Sequence, residues 1–152
     1  MEKVTDIYNY RTVDSKLSTS GQPTEEQLAS AAEEGFEVVI NLALHDDPRY
    51  SLRDEPGLVN SLGMEYIHIP VQFGAPAETD LLAFFAVMMQ YQDRRILLHC
   101  AANKRVTAFL GLYRVLKEGH PPEEAFALMR SVWEPDSTWS SFISAMLDKY
   151  HG

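Results

Sequence analysis

The chain has 152 residues, 45% of them hydrophobic and 23% charged, and its 22 Asp and Glu against 13 Lys and Arg give a net charge of −9 with the histidines neutral. That composition supplies a real core for one globular domain, and the acidic balance argues against holding a nucleic-acid backbone or lying on an anionic membrane surface, both of which need basic surface. Cys100 is the only cysteine, so an internal disulfide and a multi-cysteine metal site are excluded.

Met1 to Asp6 carries acidic residues and no apolar run of the signal-peptide type, and the longest apolar stretch, Leu81 to Met89, is too short to span a bilayer. The cytoplasm is the expected compartment. Lys16 to Gly21 reads as a short strand running into a turn, and Pro23-Thr24-Glu25-Glu26-Gln27 as a helix start with Thr24 and Gln27 forming a capping box. Gly35 ends that helix, and Glu37 to Leu42 is a β-branched run of buried-strand type. His45 to Gly57 is polar and broken by Pro48, Pro56 and Gly57, which predicts a loop with at most a short helix.

A helical stretch over 58–62 stops at Gly63; Met64 to Ile69 alternates as a strand ended by Pro70, and a Gly/Pro loop covers 72–77. Thr79 to Tyr91 is a strongly apolar helix, and Arg95 to His99 a strand that delivers Cys100 at its C-terminal end. Phe109, Leu112, Tyr113 and Leu116 have helical spacing, and Pro122 to Val132 and Ser137 to Tyr150 complete the chain as two more helices. Strands alternating with helices predict an α/β fold in one domain over residues 1–152. Its centre is a mostly parallel sheet of about four to five strands flanked by helices. In such folds the site lies at the carboxyl ends of the strands, which points at Cys100.

The run His99-Cys100-Ala101-Ala102-Asn103-Lys104-Arg105-Val106-Thr107 places a thiol at a strand end, then turn-prone residues, then a helix. Loop N–H groups and the open donors of a first helical turn make an anion cradle that favours a thiolate and a bound oxyanion together. Lys104 and Arg105 add to it where they point inward.

This run resembles the phosphate-binding loop of cysteine-dependent protein tyrosine and dual-specificity phosphatases. Leu17-Ser18-Thr19-Ser20-Gly21-Gln22-Pro23 and Gly35 to Leu42 extend the resemblance to small bacterial phosphatase-like proteins related to the beta-lactamase-hydrolase-like group. The resemblance implies that Cys100 attacks phosphorus to form a phosphocysteine, that His99 supports the thiolate, and that Thr107 helps the sulfur leave. It further implies that the loop from Ala101 through Ala102, Asn103, Lys104, Arg105 and Val106 holds the phosphate oxygens.

The loop and the acid position depart from the family pattern, and Asn103 stands where the superfamily usually has Gly. The phosphatase loop has five residues between Cys and Arg, a count that lands on Val106 and leaves Arg105 one place early; at a helix start one place turns a side chain by about 100°. Where relatives carry the acid that protonates the leaving group, this chain has Gln72, which cannot donate as an acid. Glu78, Asp80, Asp46 and Asp47 are the substitute candidates. Loss of an acid removes ~10²–10⁴-fold of rate.

The expectation is therefore a phosphatase-like domain that binds phosphate, sulfate or a phosphorylated substrate, with weak phosphomonoesterase activity and no cofactor. Two alternatives stand beside it: a pseudophosphatase that holds a phosphorylated ligand without turnover, and a rhodanese-like sulfurtransferase, whose shorter loop the four-residue spacing to Arg105 resembles. No metal site is expected, His45 with Asp46 and Asp47 being the best of poor candidates.

Overall fold

The computed structural model describes residues 2–151. Five strands form one sheet: β1 (Arg11–Thr12), β2 (Leu17–Ser20), β3 (Val38–Asn41), β4 (Glu65–His68) and β5 (Ile96–His99), in the order β1-β2-β5-β3-β4. Only β1 runs antiparallel; β2, β3 and β4 join β5 in a parallel ladder. This is the expected α/β arrangement, with β1 the strand that the polar opening did not predict.

β3 and β5 are buried on both faces, and their side chains alternate between two cores. Val38, Ile40, Ile96 and Leu98 face the larger one, under α3 (Glu78–Gln90), α4 (Lys104–Leu116) and α7 (Ser137–His151). Val39 and Leu97 face the smaller one, under α1 (Glu25–Glu33) and α2 (Glu55–Ser61). α1 opens on the Thr24–Gln27 capping box read from the sequence.

Two boundaries differ from expectation. α2 begins at Glu55, inside the polar segment, because Asp54 accepts from Gly57 N at 3.1 Å and Pro56 suits a first turn. The single helix expected over 122–132 is two, α5 (Pro122–Ala125) and α6 (Ala127–Val132), separated at Phe126. Phe126 turns inward against α4, where Gly111 leaves room for its ring. No helix among the described residues is long and apolar enough to cross a membrane.

A Cβ at Gly111 would stand 2.3 Å from the buried Phe126 ring. Gly111→Ala should therefore destabilise the fold by about 1–3 kcal/mol despite the better helix propensity of alanine. Chemical denaturation would check this, and an unchanged or raised stability would refute the close packing.

Candidate active site

Cys100 follows β5 and is 1% exposed. His99 O accepts from Leu42 N at 2.8 Å and Cys100 N donates to Ser20 O at 3.3 Å, so the thiol is fixed where three parallel strands end. Beyond it the loop is held from outside. Ala101 O accepts from Gln22 N at 2.9 Å, and Ala102 O accepts from Asn9 Nδ2 at 3.1 Å. Because peptides are trans, a carbonyl turned outward aims the next N–H the opposite way.

Gly21 permits this approach, since a Cβ there would lie 2.6 Å from Ala101 O and 2.8 Å from the Tyr8 ring. Asn103 takes the left-handed conformation (φ 65°) that precedes α4, one that asparagine tolerates where other side chains do not. Its Nδ2 donates to Asn9 O and to Thr19 Oγ1, each at 2.9 Å.

The consequence is a row of uncommitted donors. Among the described residues, the N–H groups of Ala101, Ala102, Lys104, Arg105 and Val106 make no hydrogen bond within the protein. Arg105 is buried at 5% exposure and donates from Nη1 to Val71 O at 2.8 Å, with its guanidinium about 6 Å from the Tyr50 and Phe73 rings. It thus projects between the loops that follow β3 and β4, and among the described residues its guanidinium makes one hydrogen bond. Val106 points into the larger core and is fully buried.

The Lys104 ammonium turns aside, 5.7 Å over Trp133. The Thr107 hydroxyl donates back to Asn103 O at 2.8 Å and accepts from Trp133 Nε1 at 3.2 Å. Its hydrogen bonds hold the start of α4 to the segment after α6.

The histidine that precedes Cys100 has a partner that the sequence did not disclose. His99 Nε2 is 2.6 Å from Glu55 Oε2, with the two side chains 0% and 2% exposed, and His99 Nδ1 is 3.1 Å from Cys100 O. Gln22 Nε2 donates to the other Glu55 oxygen at 2.7 Å. Burial opposes ionisation of Glu55, but the His99 charge and the hydrogen bonds from His99 and Gln22 outweigh it and hold the carboxyl at about 2. Tyr66 lies against the same carboxylate; burial and that negative charge push its phenol up. Asn41 Nδ2 and His45 Nε2 meet the Tyr66 hydroxyl at 3.0 and 2.7 Å, and the His68 ring stacks on His45.

The acid candidates are dispersed. Gln72 is exposed at the turn after β4, where Phe73 O accepts from Trp139 Nε1. Asp47 is paired with Arg49 through two bonds of 2.9 and 2.5 Å, and that guanidinium holds its carboxyl at about 2. Asp46 is exposed. Glu78 is bound to Lys149 and Tyr150 of α7, which lower it. Asp80, in the first turn of α3, is raised by burial.

Beside the loop, reaching it at Ala101, a cleft of about 740 Å³ runs between Tyr8, Gln22 and Tyr50, with Glu2, Glu25 and Glu26 on its wall. Its one cation, Arg49, is the residue paired with Asp47.

Comparison with known proteins gives concordant results. A family model described as the DSP-PTPase phosphatase fused to NAD+ kinase matches residues 3–141. A DUF442 protein from Shewanella putrefaciens CN-32 is 30% identical, covering 97% of this chain and 96% of its own, with a TM-score of 0.85. Tk-PTP in its active form (20% identity, 93% and 97% coverage, TM-score 0.76) and PTPMT1 in complex with PI(5)P (16%, 93% and 96%, 0.75) share the fold. No curated protein matches the chain.

Two outcomes follow from this geometry. Gly21→Ala should displace Ala101 and shift the loop while leaving a folded protein, which amide hydrogen exchange at residues 101–106 would register; unchanged exchange would mean that the loop does not depend on the Gln22 clamp. The depressed Glu55 carboxyl contributes stability that is complete above pH 4.5, its ordinary value, and is lost as pH falls toward about 2. The stability gap between wild type and Glu55→Gln, measured by urea melts, should therefore narrow over that window; a constant gap would deny that the ionised carboxylate is its source.

Proposed function

Because the chain belongs to the DSP-PTPase family of phosphatases, the group described as fused to NAD+ kinase, we propose that it binds phosphate monoesters at the Cys100 loop and hydrolyses them slowly through a phosphocysteine. The observation that carries this reading is the row of uncommitted N–H donors between Cys100 and α4, with Arg105 beside it. Unpaired main-chain donors are costly, and a run of them next to a guanidinium is complementary to a tetrahedral oxyanion.

In the first step the Cys100 thiolate attacks phosphorus, the ester P–O bond breaks, and the leaving oxygen departs with the bonding pair. The loop N–H groups and Arg105 stabilise the equatorial oxygens. In the second step water attacks the phosphocysteine, gives its proton to solvent, and the S–P bond breaks to restore the thiolate. The arginine one place early fits this role because the position after it, Val106, belongs to the core. Family membership also supports the phosphatase over the sulfurtransferase alternative.

The scatter of the acid candidates shapes the substrate. With Gln72 in the turn and Asp47 and Glu78 committed to ion pairs, esters whose leaving oxygen needs no proton, such as aryl phosphates, are hydrolysed best. The three glutamates on the cleft wall disfavour substrates carrying further phosphates. The same scatter supports the pseudophosphatase as the second reading, in which the cradle holds a phosphorylated ligand without turnover.

Single-turnover hydrolysis of a reactive aryl phosphate separates the two. Wild type should release the phenol and yield a trappable phosphocysteine, Cys100→Ser should do neither while still binding phosphate, and Arg105→Ala should lose about 10²-fold or more of the rate. Release that survives in Cys100→Ser would remove the thiol as nucleophile, and binding without release in wild type would favour the second reading.

A further inference from the structure

Glu55 sits at the first turn of α2, 44 residues from the cysteine loop in sequence, yet its carboxylate is the direct partner of the histidine adjoining Cys100. The protonation of that histidine follows from its partners. Nδ1 faces a backbone carbonyl oxygen, which only accepts, and Nε2 faces a carboxylate, which accepts when ionised. With Glu55 ionised, both contacts are met by an imidazolium carrying hydrogen on each ring nitrogen, and the ring is fully shielded from water. Glu55 is itself held by Gln22, and its low carboxyl pKa agrees with the ionised form.

The pair is neutral overall but oriented. Its positive end lies against Cys100 and its negative end on the far side, against α2. A dipole between two buried side chains acts strongly at short range. The other titratable groups around the pair are Tyr66 and His68 of β4 and His45 behind them, with Arg105 on the far side of the loop. None of these supplies a second anion to the histidine.

We propose that Glu55 is a positioning residue that keeps His99 doubly protonated and so sustains the Cys100 thiolate. Without the carboxylate the imidazolium loses the acceptor at Nε2, and the positive charge beside the Cys100 carbonyl is no longer sustained. The inference concerns the thiol of the site proposed above and rests on that reading only for its catalytic consequence, since the ionisation itself can be measured without a substrate.

The single cysteine makes the measurement clean. Thiolate absorbance is titrated in wild type, Glu55→Gln, His99→Asn and the double variant, each against Cys100→Ser. Glu55→Gln should raise the thiol midpoint by about one pH unit, which is roughly tenfold less thiolate at any pH below it. In the His99→Asn background the same substitution should have no further effect, because Glu55 acts through His99. A merely structural role would lower the melting temperature and leave the midpoint in place.

If Glu55→Gln does not fold, Glu55→Asp serves instead, its shortened carboxylate giving a smaller shift in the same direction. An unmoved midpoint, or a shift that persists in the absence of His99, overturns the proposal. A shifted midpoint in a protein that hydrolyses no aryl phosphate would uphold it and count against the phosphatase reading. Hydrolysis with an unmoved midpoint would do the reverse.

Discussion

A backbone that offers its N–H groups to a ligand has to turn its carbonyls elsewhere, and those carbonyls need donors of their own. In this protein that requirement is met by two short segments remote from the loop in sequence. Gln22, after β2, and Asn9, before β1, supply the donors for Ala101 and Ala102. Asn103 returns a bond to Asn9 and reaches Thr19 on β2. The loop is thereby braced by the protein itself, which is the condition that charge binding without reorganisation would need. Gly21 is required because the two backbones approach too closely for any side chain.

The same region carries a buried ion pair, an arrangement that seldom adds net stability. Removing two charges from water costs several kcal/mol per ion, and a hydrophobic replacement is often as stable. Glu55 and His99 are compensated by short hydrogen bonds on both sides, from Gln22 and toward Cys100 O. Such a pair under a cysteine makes physical sense as a charge source for the thiol. It joins the smaller core, where α2 lies, to the end of β5, so that the α2 packing bears on the chemistry.

On the substrate side the charges are largely spent within the protein. Arg49 is bound by Asp47, Glu78 by Lys149, and the Lys104 ammonium lies over Trp133, which leaves Arg105 as the cation beside the cradle. With an acidic neighbouring wall and a net charge of −9, the proposed phosphate site would take a single phosphate group better than a polyphosphate.

The sequence by itself determined what depends on local pattern. The β-branched run fixed β3, the apolar run before His99 fixed β5, the capping box fixed α1, and Cys100 followed by turn-prone residues and a helical pattern fixed the site's place at a strand end. Family resemblance at the loop, carried by neighbouring residues, led to the same superfamily that the comparisons show. Counting along the loop left the roles of Arg105 and Val106 undecided, since one residue at a helix start selects between core and site; packing of Val106 against the sheet resolves their orientation. Glu55 is set in a stretch that reads as a polar loop with at most a short helix, and nothing in it singles out this glutamate. Its partner is 44 residues away. Tertiary structure alone decided such pairings, because ion pairs and carbonyl clamps join side chains through space and leave no periodicity along the chain.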